Sequence, residues 1–334
     1  MGLTYPEALV VGLVQGVTEL FPVSSLGHSV LLPALVGGRW ARDLSVSAPE
    51  SPYLAFIVGL HVATAVALLV FFRRDWVRIV GGFLSSVRHR SVTTADQRLA
   101  WLVVIATIPV GVAGLALEHT FRTVLGKPTP AAAFLLANGV LLLAGERLRR
   151  AAPDPATLTS DPIAAAVPPH STVAAGADDR VDDRGRSATR AGGTAEVGGA
   201  DLASDRRLAR LGIGSALSIG AAQALALLPG ISRSGVAMVA GLVRGLSHED
   251  AARFSFLLAT PVILAAGVLK LPDLAGPLGA GIRGQVLAGS LASGVAAYFA
   301  VRYLTRYFTT RTLTPFAVYC LLAGGASLAV LAAR

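Results

Sequence analysis

The strongest constraint on this chain is an apolar segment, broken by a proline, that occurs twice. Residues 15–28 read QGVTELFPVSSLGH, and residues 223–235 read QALALLPGISRSG. Each lies in sequence apolar enough for lipid, and each carries a proline that ends a helix. The flanking pieces, 6–21 with 24–36 and 208–228 with 232–245, do not combine into clean spans of the ~20 residues a crossing helix needs. A break at membrane depth is tolerated only where protein covers it, so both read as re-entrant helix pairs. Shifted by 208 positions, Gln15 falls on Gln223, Ser24 on Ser232, Ser25 on Arg233 and Gly27 on Gly235. The expectation is that the two breaks meet in one site.

The rest of the chain agrees with a membrane setting. Hydrophobic residues make up 53% and charged residues 15%, well below the quarter usual for a soluble chain. Three apolar spans follow each break: 53–72, 98–117 and 129–148, then 251–269, 283–303 and 315–332. Ser247 reads as the helix cap ahead of the span at 251, with acids behind it. The start lacks a basic leader region, so no cleaved signal peptide is expected. Cys320 is the single cysteine, which leaves no internal disulfide.

Residues 151–207 interrupt the pattern with five prolines between 153 and 169 and then an Asp/Arg/Gly/Ala run. Their composition reads as a disordered cytoplasmic linker between membrane repeats at 1–150 and 208–334. The net charge of +9 does not imply nucleic acid, because the arginines cluster between apolar runs without interleaved aromatics. The loop from 73 to 98 alone holds six arginines. Placing the basic loops inside gives the two halves opposite topology. The expected fold class is therefore all-α: a polytopic membrane protein of two inverted-topology repeats, each a broken re-entrant helix pair plus three transmembrane helices.

Polar groups in lipid are costly and mark function. Gln15 and Glu19 share a helix face, and Glu19 reads as a carboxylate that holds a divalent cation or takes a proton, or as an interhelical hydrogen-bonding acid. Ser24 and Ser25 open the second short helix, where hydroxyls cap and free N–H groups attract anions. Ser25 and His28, three apart, form a candidate nucleophile and base. Arg233, between Ser232 and Ser234, suits phosphate oxygens; the competing reading is a structural pair with Glu19. Together these describe a phosphate or diphosphate site. His61, in GLHVATA, reads as a helix-packing hydrogen bond.

QGVTELFPVSSLGH and LLPGISRSG resemble the two signatures of the undecaprenyl-diphosphate phosphatase family, BacA, linked to bacitracin resistance. FSFLLATPV at 254–262 is similar to the family's segment after the second signature. The resemblance covers both halves outside the linker. It implies hydrolysis of a C55 isoprenyl diphosphate lipid to the monophosphate, recycling the carrier for wall synthesis. It also implies the bacterial inner membrane, an active site facing outside and a divalent cation (Mg²⁺ or Ca²⁺); a homodimer is left open by the sequence, and no nucleic-acid partner is expected from the placement of charge. Position by position, Glu19 matches the essential acid, Ser25 the nucleophile, His28 the motif histidine and Arg233 the diphosphate-binding arginine. Ser24, Ser232, Ser234 and Gly230 are the expected substrate-binding neighbours, and Glu19 with Gln15 the expected metal ligands. Gln15 replaces the commoner glutamate, and Leu26 and Ala237 stand where many members carry threonine. The competing readings are a polyprenyl-phosphate or small-solute transporter on the same scaffold, and a phosphatidic-acid-type phosphatase. The second lacks its histidine, since Val239 stands six residues after Arg233.

Overall fold

A computed structural model describes residues 3–44, 52–151, 201–275 and 281–334. Thirteen helices follow one another: α1 Tyr5–Thr18, α2 Ser25–Val36, α3 Gly38–Asp43, α4 Pro52–Phe71, α5 Arg73–His89, α6 Ala95–Leu125, α7 Pro128–Ala151, α8 Asp201–Leu208, α9 Ile213–Ala222, α10 Arg233–Val243, α11 His248–Ala275, α12 Arg283–Tyr307 and α13 Thr314–Ala332. A 3-10 turn, Gln223–Leu227, extends α9. Among the described residues there is no strand. Five helices (α6, α7, α11, α12 and α13) are each long and apolar enough to cross a membrane. The chain is an all-α, multi-pass membrane protein.

Both breaks take the expected form. Pro22 separates α1 from α2, and Pro229 with Gly230 separates the 3-10 turn from α10. The four flanking helices are each shorter than the ~20 residues a crossing helix needs, and α8 with the α9 segment forms a pair bent by 100°. α1 packs on α12 through glycine: a Cβ on Gly12 or Gly16 would run into the backbone of Gly289 or Ser293. Such close backbone approach is what holds helices together where lipid removes the hydrophobic drive. Gly220, which is Gly12 shifted by 208, presses α9 equally close to Ala106 on α6. α4 packs on α11 and α12, and α7 on α13.

Contacts sort the helix ends into two groups. At one end Arg39 of α3 pairs with Glu7 of α1, and Arg334 donates to the Ala34 and Leu35 carbonyls of α2. At the other end Glu146 of α7 accepts from the Leu313 N–H and meets His248 of α11 at 2.7 Å. Arg207 of α8 holds Asp250 there, and Ser247 accepts from the Asp250 N–H as a helix cap. The α1–α2 pair opens toward the first end, and the α9–α10 pair toward the second.

Two stretches differ from the sequence expectation. The arginine-rich connection after residue 72 is not a loop but α5, bent 86° from α4. Its arginines hide an amphipathic repeat: Asp75, Ile79 and Ser86 are buried, while Val77, Val80, Leu84 and Val87 are exposed. Residues 201–207, expected in the linker, are helical, with Ser204 and Asp205 buried. Arg253 of α11 explains this by bonding Asp201 and Asp205 of α8 and Asp75 of α5. Arg78 completes the knot with Asp75 and Asp205. The remainder of the expected linker, 152–200, lies outside the described residues.

Candidate active site

Glu19 is the centre of the site. α1 ends at Thr18, and Glu19 caps it at 7% exposure. Its position puts Gln15 one turn back, and the Gln15 amide donates to Glu19 Oε2 at 3.0 Å. Ser25 Oγ, at the start of α2, donates to the same oxygen at 2.5 Å. Arg233, first residue of α10, donates from Nη2 to Glu19 Oε1 at 2.8 Å. An acid from the first break and an arginine from the second therefore meet, 214 residues apart in sequence. Arg233 Nη1, Gln15 Oε1 and both polar atoms of Gln223 are buried without a partner. A buried donor left unmade is costly, so Arg233 Nη1 holds a hydrogen ready for an incoming oxygen.

The serines tie the two breaks together. Ser24 caps α2 with φ of 69°, a left-handed conformation that strains any residue but glycine. Its Oγ accepts from Gly27 N within α2 and from Gly230 N of the second break, each at 3.2 Å. Gly230 itself has φ of 114° and lies against the Ala131 carbonyl of α7, a place that admits no side chain. Ser232 caps α10 by accepting from Gly235 N at 3.2 Å, and its hydroxyl meets that of Ser234 at 3.1 Å. Ser234 in turn donates to the Phe21 carbonyl of the first break at 3.3 Å. Two helix N-termini thus open side by side, with capped backbone N–H groups around the Glu19–Arg233 pair. Such ends favour anions.

His28 sits apart from the proton path expected for it. Its Nδ1 meets the Ser24 carbonyl at 2.7 Å and its Nε2 the Tyr319 hydroxyl of α13 at 2.7 Å, with the two rings stacked. Ser25 is bonded to Glu19 instead. Leu26 and Ala237 offer no hydroxyl, and none of the contacts above needs one.

Two further residues join the site without a signal in the sequence that places them there. Asn138, fully buried on α7, donates to the Pro22 carbonyl and accepts from the Ser232 N–H, each at 3.0 Å. It is a strut between the breaks, and nothing but its polarity inside an apolar span could flag it. His61 of α4 has the sequence context of a packing residue, yet its Nε2 lies 3.3 Å from Glu19 Oε2. Its Nδ1 meets the Ile57 carbonyl at 2.8 Å, the bond expected of a packing role.

No group of three or more His, Cys, Asp or Glu side chains able to hold a metal occurs among the described residues. The nearest oxygen set is Glu19 with the unpartnered Oε1 of Gln15. One carboxylate and one amide oxygen suit a cation that takes its remaining ligands from phosphate and water.

A family model described as bacitracin resistance protein BacA matches residues 8–326. The chain is 68% identical over 332 residues to the undecaprenyl-diphosphatase of Mycolicibacterium paratuberculosis, covering 99% of each. It is 60% identical over 339 residues to undecaprenyl-diphosphatase 2 of Frankia alni, covering 96% of each. Undecaprenyl-diphosphatase 2 of Chromobacterium violaceum is 39% identical over 322 residues, at 95% of each. Both broken segments lie inside the matched range.

Proposed function

The chain belongs to the BacA family of bacitracin resistance proteins, and from that membership and the polar cluster at the two breaks we propose the following reading. The protein is an undecaprenyl-diphosphatase: it hydrolyses undecaprenyl diphosphate to the monophosphate and phosphate, and so returns the lipid carrier to wall synthesis. The observation that carries the assignment is the Glu19–Arg233 bond between the breaks, with a serine hydroxyl on the same carboxylate.

The diphosphate enters sideways from lipid and meets two helix N-termini. Arg233 turns its unpartnered Nη1 and the Nη2 now held by Glu19 toward the terminal phosphate, where a planar fork grips two oxygens. N–H groups of the first turns of α2 and α10 that the serine caps leave free take up charge that builds on the transferring phosphoryl. Ser25 Oγ attacks the terminal phosphorus, Glu19, already accepting its hydrogen at 2.5 Å, receives the proton, and the bridging P–O bond breaks to release undecaprenyl phosphate. Water then hydrolyses the phosphoserine, freeing phosphate and restoring the Ser25 hydroxyl. His28, stacked on Tyr319, flanks the site beside Ser24. Glu19 and Gln15 Oε1 are the residues that would hold a divalent cation, Mg²⁺ or Ca²⁺, which would neutralise part of the diphosphate charge.

The end of the bundle gathering Arg78, Arg207 and Arg253 faces the cytoplasm, and the α1–α2 pair opens outward. The inverted repeat is supported by Gly12 and Gly220, which press equivalent helices together at positions 208 apart. The site then faces outside on the bacterial inner membrane.

Phosphate release from C55 diphosphate by the purified protein in detergent, with and without EDTA, tests this. Arg233→Ala and Glu19→Gln are each expected to lose about a hundredfold or more in kcat. Full release by both would end the assignment. Trapping of labelled phosphate on Ser25, absent from Ser25→Ala, tests the covalent step.

A further inference from the structure

His61 touches the site from outside both breaks, because α4 belongs to neither re-entrant pair. The helix is anchored one turn on, where Thr64 and Ser293 of α12 share a hydrogen bond at 3.1 Å. The ring is fixed at both nitrogens. The Ile57 carbonyl can only accept, so the 2.8 Å contact places a hydrogen on Nδ1. Nε2 faces Glu19 Oε2 at 3.3 Å, and a carboxylate oxygen can only accept, so a bond across that gap requires the imidazolium, with a second hydrogen on Nε2.

The contact matters because of what Glu19 would do without it. Arg233 Nη2 already holds Oε1, and Nη1 is buried with no partner. Gln15 and Ser25 also donate to Oε2, but both belong to the broken pair itself. A carboxylate held by them alone could swing Oε2 to Nη1 and close a bidentate pair, the strongest geometry for these two groups. That closure would withdraw Glu19 from Ser25 and occupy the donor meant for phosphate. We propose that His61 is a positioning residue: it tethers Glu19 Oε2 to a continuous helix, keeping the carboxylate on Ser25 and Arg233 half-open for the diphosphate. The inference rests on Glu19 being the acid that serves Ser25.

Two amide variants separate this role from helix packing. In His61→Asn the amide overlies Nδ1, so it keeps the Ile57 bond and loses Glu19. In His61→Gln the amide overlies Nε2, so it keeps Glu19 and loses Ile57. Both are measured for phosphate release from C55 diphosphate in detergent, beside Glu19→Gln, with monodispersity and melting temperature recorded for each. The expected result is that His61→Asn loses about a hundredfold in kcat, the cost of a misplaced reacting group, while His61→Gln keeps most of its kcat. The reverse order, or equal loss in both, overturns the tether. So does full activity of His61→Asn when Glu19→Gln is inactive, an outcome that leaves the reading of Glu19 standing. If Glu19→Gln is itself fully active, the site assignment falls and the tether with it.

Discussion

At the scale of single residues, the site depends as much on what bridges the breaks as on what reacts. Asn138 holds the Pro22 carbonyl with its amide nitrogen and the Ser232 N–H with its oxygen. Asn138→Leu matches the size, leaves the Ser232 N–H without its partner and leaves the Pro22 carbonyl only the long 3.9 Å contact from Cys320 Sγ. The expected cost is about 1–3 kcal/mol for each group, seen as a lower melting temperature in detergent and loss of phosphate release. Glu19, Ser25 and Arg233 are legible in the sequence, because their residue types and the repeat at 208 positions place them together. Asn138 and His61 are not, because each is a lone polar group in an ordinary span. Their partners lie 94 and 42 residues away, beyond any local pattern. His28 shows the converse: helical spacing from Ser25 suggests a bond that Ser24 and Tyr319 take up instead.

At the scale of elements, the long apolar helices and both breaks are readable from length and proline alone. α5 and α8 are not, because charge outweighs periodicity in one and low-complexity neighbours absorb the other. Both are held by Arg253, 6% exposed, whose three nitrogens reach Asp75, Asp201 and Asp205. Removing one member of a buried ion network costs about 3–5 kcal/mol, since the remaining charges stay buried and unpaired. Arg253→Leu is expected to release α8 from the bundle. Limited proteolysis should then cut between 201 and 210 far faster than in the parent, while phosphate release at low temperature persists. Unchanged cleavage would show that apolar packing, not the ion network, seats α8.

At the scale of the whole molecule, the two broken pairs come from opposite ends of the bundle and meet at the Glu19–Arg233 bond. The orientation is tested by single cysteines on exposed positions, Arg42→Cys in α3 and Arg88→Cys in α5. The native Cys320 is buried and should stay silent. In intact cells a membrane-impermeant maleimide is expected to label position 42 and spare 88; the opposite pattern would invert the proposed placement. The bond that joins the halves at their centre, Arg233 to Glu19, is also the one that a diphosphate would displace on the proposed mechanism. In the resting protein the arginine therefore already carries an anion of its own, and an incoming ligand has to outcompete it. A terminal diphosphate, with more charge and more oxygens, is better equipped to do so than the single phosphate it releases. On the proposed mechanism, reclosure of the internal pair would help expel the product and keep the enzyme from being held by the phosphate it has just made.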